Sequence, residues 1–76
     1  MSSHELDTRG LLCPLPVIRT QDAIKSMAVD ELLTIYATDP GTLYDIPSWC
    51  RVHGHALVSV DENENEICFQ IKVAPE

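Results

Sequence analysis

Positive charge is scarce in this sequence: five lysines and arginines face twelve aspartates and glutamates, for a formal net charge of -7. Such a surface repels phosphate backbones and anionic membranes, so it argues against direct nucleic-acid or membrane binding and favours docking onto basic protein patches. Long apolar runs are missing too, and no stretch approaches the roughly 18 residues that a membrane span needs. The start, Met1 to Asp7, has neither the basic opening nor the apolar stretch of a secretory signal. Cysteine is present only as an odd, widely spaced set (Cys13, Cys50, Cys68) with no C-x-x-C pair. That argues against a disulfide framework and a thioredoxin-like dithiol cycle, and it points to reduced thiols in the cytoplasm.

What is present fits one small domain, residues 1–76, with no linker, repeat or low-complexity tract. A domain of this size buries only about 60% of the surface its unfolded chain exposes. Its core is thin and leaves little room for an enclosed active site. Chemistry at the surface, in a monomeric carrier or binding module, is the expectation.

Glu5–Thr8 reads as a first strand, ended by Arg9-Gly10. Between Pro14 and Ala28, Val17, Ile18, Ile24, Met27 and Ala28 recur at helical spacing. Glu31–Thr38 is rich in strand formers, with Leu33, Ile35 and Ala37 on one face. Asp39-Pro40 predicts a helix N-cap and first position. That helix runs to His53 and ends at Gly54, with a kink or restart expected at Pro47. His55–Asp61 and Glu66–Val73 alternate as two strands around a polar turn, Ile67, Phe69, Ile71 and Val73 sharing the inner face. The order β-α-β-α-β-β, with right-handed crossovers, predicts an α/β (α+β) two-layer sandwich. Four strands form a mixed sheet, and both helices lie on one face.

The most informative stretch is Gly10-Leu11-Leu12-Cys13-Pro14-Leu15-Pro16. A residue before proline is pushed out of the helical region, so Cys13 is expected at the N-cap with Pro14 opening the helix. Ligands of open α/β sheets gather at this carboxyl end of the strands. A helix N-terminus carries roughly half a positive charge, which lowers a thiol's pKa and enlarges its nucleophilic thiolate fraction. Pro14 and Pro16 stiffen the turn but donate no N–H, leaving those of Leu15 and Val17, so the expected activation is moderate. Arg9 is a candidate source of further positive charge beside the sulfur. Gly10 supplies the turn into the loop. No base for a hydrolytic nucleophile is close in sequence, although His53 or His55 could approach in space, and a lone thiol suits accepting a group and passing it on. The competing reading makes Cys13 a small buried apolar residue at a strand-to-helix turn.

Cys50, His53 and His55 have zinc-ligand types, but three ligands without a visible fourth favour structural roles. No metal or cofactor is expected. Cys68 falls on the outer face of its strand. Trp49 is read as core or interface. Asp61, Glu62, Glu64 and Glu66 read as a solvated hairpin end, with docking to a basic partner as the alternative.

The chain resembles the TusA/SirA family of sulfur-carrier proteins. The likeness runs through Leu6-Asp7, Gly10-Leu11, the C-P-x-P motif at Cys13–Pro16, Ala37-Thr38-Asp39-Pro40, Asp45-Ile46-Pro47, Cys50 and Gly54-His55. The resemblance implies that Cys13 accepts sulfane sulfur as a persulfide from a cysteine desulfurase or rhodanese-like donor and delivers it to an acceptor protein. It makes the chain a sulfurtransferase in that sense, serving tRNA 2-thiouridine synthesis, sulfur oxidation or another sulfur-trafficking route. The tRNA-thiolating branch has an acidic residue between the two prolines, whereas Leu15 stands here, which leaves the pathway open. The alternative is a non-catalytic regulatory or interaction module with an acidic docking surface.

Overall fold

The computed structural model describes residues 3–74. The strands are β1 (Ser3–Thr8), β2 (Leu32–Ala37), β3 (Ala56–Glu62) and β4 (Ile67–Lys72), and the helices are α1 (Leu15–Lys25) and α2 (Thr42–His53). They follow the order β1-α1-β2-α2-β3-β4. The sheet order is β1-β2-β4-β3, with β1 parallel to β2 and the other pairs antiparallel. The expected mixed four-stranded sandwich is what the chain forms.

Alternation builds the inner face. Leu33, Ile35 and Ala37 of β2 stand opposite Ile71, Phe69 and Ile67 of β4, and all six are buried. Burying one such large side chain contributes about 1.5–3 kcal/mol, so this ladder is the main source of stability. Each helix covers it with a stripe spaced by four residues: Pro16, Thr20 and Ile24 on α1, and Thr42, Ile46 and Cys50 on α2. Ile18, expected among the inward residues of α1, is 46% exposed. The stripe passes through Thr20 instead, whose hydroxyl donates to the Pro16 carbonyl at 2.8 Å and so is satisfied inside.

Both helices are shorter than the sequence suggests. α1 ends at Lys25, before Ala28. α2 begins at Thr42, so neither Asp39 nor Pro40 occupies the predicted cap positions. Asp39 instead closes the turn before the helix. Its side chain accepts the Gly41 N–H at 3.1 Å, and its carbonyl takes the Thr42 N–H and hydroxyl. α2 passes through Pro47 as one helix with no restart. Gly54, at φ +77, ends it. Its N–H bonds to the Arg51 carbonyl and the His55 N–H to the Cys50 carbonyl, the paired bonds of a Schellman motif.

Candidate functional site

The carboxyl ends of β1 and β2 lie side by side, Thr8 opposite Ala37, and the loops that leave them build the site. Thr8 is fully buried and its hydroxyl donates to the Tyr36 carbonyl at 2.7 Å, pinning the end of β1. Gly10 then turns the chain at φ +82, a conformation that suits glycine. Its N–H donates to the Thr38 hydroxyl at 2.9 Å, stitching the loop to the end of β2. Leu11 N–H closes a short turn onto the Thr8 carbonyl.

Cys13 follows, exposed and in no disulfide. The Cys13–Pro14 peptide bond is cis. Pro14, not Cys13, caps α1, so the sulfur sits one residue further from the helix than expected. The Leu15 N–H, expected to be free for the sulfur, is taken by the Leu12 carbonyl at 2.9 Å. Pro16 is buried within the first turn of the helix, and the proline pair fixes the direction in which the loop leaves.

Two carboxylates from the other crossover hold the cysteine. Asp39 Oδ2 accepts the Cys13 backbone N–H at 2.9 Å. Asp45 Oδ2, from the first turn of α2, accepts the thiol S–H at 2.8 Å. The sequence drew attention to Asp39 as a cap and to Asp45 only through its family motif. Neither was read as a partner of Cys13, from which they are 26 and 32 residues away. Such a contact becomes visible only once the two crossovers pack side by side.

These acids reverse the expected electrostatics. The hydrogen bond to Asp45 raises the Cys13 thiol above its ordinary value, with desolvation and the charges of Asp45 and Asp39 adding to it. A negative group beside a thiol disfavours the thiolate, the opposite of what a helix terminus alone would do. Arg9 does not offset this. Its guanidinium bonds to Asp7 at 2.9 Å and 3.0 Å, reaches Glu66 at 3.5 Å and lies over the Tyr36 ring. That pairing holds Asp7 down at about 2. Arg9 therefore ties the loop after β1 to the turn before β4, and its charge is not among those acting on the sulfur.

The other two thiols lie in different settings. Cys50 is 1% exposed in the core, where burial pushes it up to about 11. Cys68 is half-buried on the outer face of the sheet, opposite Tyr36 and Asp61. Cys50 does not converge with His53 and His55. His55 Nδ1 accepts the Ala74 N–H at 3.0 Å, and both imidazoles lie against the Trp49 ring. Among the described residues no three His, Cys, Asp or Glu side chains come together as a metal set, and no helix is long and apolar enough to cross a membrane.

Leu12 and Leu15, flanking Cys13, are 70% and 42% exposed, and Tyr44, beside Asp45, is 78% exposed. Large exposed side chains thus occur on both segments that meet at the thiol, the loop of Cys13 and the start of α2, and exposed apolar surface of this kind suits a protein partner. The acidic hairpin of β3 and β4 stands at the same end of the sheet, turned by the Asn63 N–H bond to the Glu66 carbonyl at 2.8 Å.

The family model described as "Sulfurtransferase TusA" matches residues 4–73. Two proteins of Neisseria meningitidis, from serogroups A and B, each described as a "Putative sulfur carrier protein", are 41% identical over 64 residues, covering 84% of this chain and 86% of theirs. The crystal structure of a SirA-like protein from Desulfitobacterium hafniense superposes with a TM-score of 0.80 at 18% identity, covering 95% of this chain and 99% of that one; it supports the fold. With the fold, the exposed cysteine and these matches together, the chain belongs to the TusA/SirA family of sulfur-carrier proteins.

Proposed function

We propose that this chain relays sulfur as a persulfide on Cys13, accepting it from a cysteine desulfurase or rhodanese-like donor and handing it to an acceptor protein. The observation that carries the reading is the contrast among its thiols. Cys13 alone of the three is exposed, and it stands at the loop end of the sheet next to the exposed Leu12. Gly10, Pro14 and Pro16 support it by shaping the loop that presents the sulfur.

The chemistry is an exchange that needs no external oxidant. The Cys13 thiol loses its proton to water, and the thiolate attacks the outer sulfur of a persulfide on the donor's cysteine. A new S–S bond forms on Cys13, the donor's S–S bond breaks, and the donor cysteine leaves as a thiolate. Delivery repeats the step with the acceptor's thiolate as nucleophile and Cys13 as leaving group. A monomer with reduced thiols suffices, which fits a cytoplasmic setting. The sulfur route served, tRNA thiolation, sulfur oxidation or another, follows from which acceptor docks.

Intact-mass spectrometry after incubation with a cysteine desulfurase and cysteine tests the reading. One added sulfur, removed by reductant and absent in Cys13→Ser, is the expected result. A correctly folded protein that gains no sulfur from either donor class would overturn it. A Cys13→Ser protein that loads as well as the parent would do so too.

A further inference from the structure

The bond from the Cys13 thiol to Asp45 is an unexpected feature for a nucleophile, because a carboxylate accepts hydrogen bonds but offers none. It steadies the thiol and repels the thiolate. The charged groups acting on the sulfur both come from the second crossover. Asp45 reaches it from α2 and Asp39 from the turn before α2, and both are negative. Arg9, the cation of the cysteine's own loop, is engaged by Asp7 and Glu66. The whole chain adds a net charge of -7.

We propose that Asp45 is a positioning residue that gates Cys13: it holds the sulfur as an aimed, hydrogen-bonded thiol in the free carrier, and a cationic side chain on the docking surface of the sulfur donor draws Asp45 away and releases the thiolate. This rests on the persulfide reading of Cys13 and specifies how that site is controlled. The free carrier then resists stray alkylation and oxidation, which follow thiolate character. Ionisation occurs where a partner brings positive charge against the acidic surface, and the proton leaves to water. The partner class is a protein with a basic patch next to its own sulfur-bearing cysteine. Asp39 has a second part in the gate: by binding the Cys13 N–H it keeps the loop in the position where Sγ meets Asp45.

Iodoacetamide alkylation of Cys13 across pH tests the gate without any sulfur transfer. In Asp45→Asn, which keeps an acceptor but loses the charge, the rate midpoint is expected to fall by about one pH unit, a roughly tenfold larger thiolate fraction at neutral pH. A midpoint that stays in place or rises overturns the proposal. The parent protein supplies a comparison free of mutation: its folded midpoint should lie above that of the same chain in denaturant, and a folded midpoint at or below it overturns the gate. Polylysine at low salt serves as the cationic probe. It should speed alkylation of the parent several-fold and leave Asp45→Asn nearly unchanged; no acceleration of the parent, or equal acceleration of both, removes the role of the cationic partner. Should Cys13 refuse sulfur while the alkylation midpoints behave as expected, the persulfide reading fails and the electrostatic control of the thiol stands. Should Cys13 load with sulfur while Asp45→Asn alkylates like the parent, the gate alone fails.

Discussion

Cys13 and Cys50 are the same residue type with thiols raised above the ordinary value, and the causes separate their roles. Cys50 is raised by burial alone, sealed into the stripe of α2 that covers the sheet. Cys13 is raised first by a carboxylate that hydrogen-bonds it at the surface. Desolvation is a permanent property of the folded core. A neighbouring charge can be moved or neutralised by a partner. One thiol is therefore inert while the fold lasts, and the other has a reactivity set by charged groups at the surface.

The sharpest break of this comparison would come from native-state labelling. Cys50 can react only after the core opens, and core opening costs up to the global stability of about 5–15 kcal/mol. Its alkylation should trail that of Cys13 by roughly a thousandfold or more, since each 1.4 kcal/mol is tenfold. Comparable rates at the two positions would mean that the burial distinction is false.

Substitution gives the next largest effect. Cys50→Ser puts a hydroxyl into an apolar site and should cost about 1–3 kcal/mol by urea unfolding. Cys13→Ser, at an exposed position, should leave the urea midpoint nearly unchanged. The pH dependence has a definite sign. Cys50 is raised to about 11 in the fold from an ordinary 9.0. The unfolded chain therefore gives up this proton first as pH rises. The stability tied to that thiol is complete below pH 9.0 and is lost as pH climbs towards 11. Cys50→Ala should flatten that part of the alkaline unfolding curve, and Cys13→Ala tests whether the surface thiol contributes to the same slope.

Smaller effects probe the loop that presents Cys13. Gly10→Ala meets nothing within 4 Å but must adopt φ +82, so it should cost about 1 kcal/mol through strain alone. Arg9→Ala removes exposed, solvent-screened ion pairs and should change stability little. It should leave the alkylation midpoint of Cys13 in place, and a clear rise would show that Arg9 does reach the sulfur.

The fold was legible because its signals are local. Strict alternation in β2 and β4 assigns Leu33, Ile35, Phe69 and Ile71 to the core, and the order of elements leaves few ways to arrange the sheet. The ends of helices were less legible. Asp39-Pro40 has the composition of a helix start, yet Asp39 spends its side chain on Gly41 and Cys13, and the helix waits until Thr42. At the candidate site, the sequence pointed to the cysteine through the glycine that turns the loop and the prolines that stiffen it. The charge around the sulfur was misjudged, because helix-terminus and Arg9 arguments use near neighbours. The groups that decide it, Asp45 and Asp39, arrive from the other crossover. Side-chain electrostatics across a fold has no short-range signature in sequence.

Sulfur loading of a variant that keeps a single cysteine tests the central claim most directly. With Cys50→Ala and Cys68→Ala combined, the folded protein should still gain one sulfur atom from a cysteine desulfurase and cysteine, mapped to the peptide containing Cys13. If that variant stays unloaded while one retaining only Cys50 or only Cys68 takes up the sulfur, Cys13 is not the carrier and the account is contradicted.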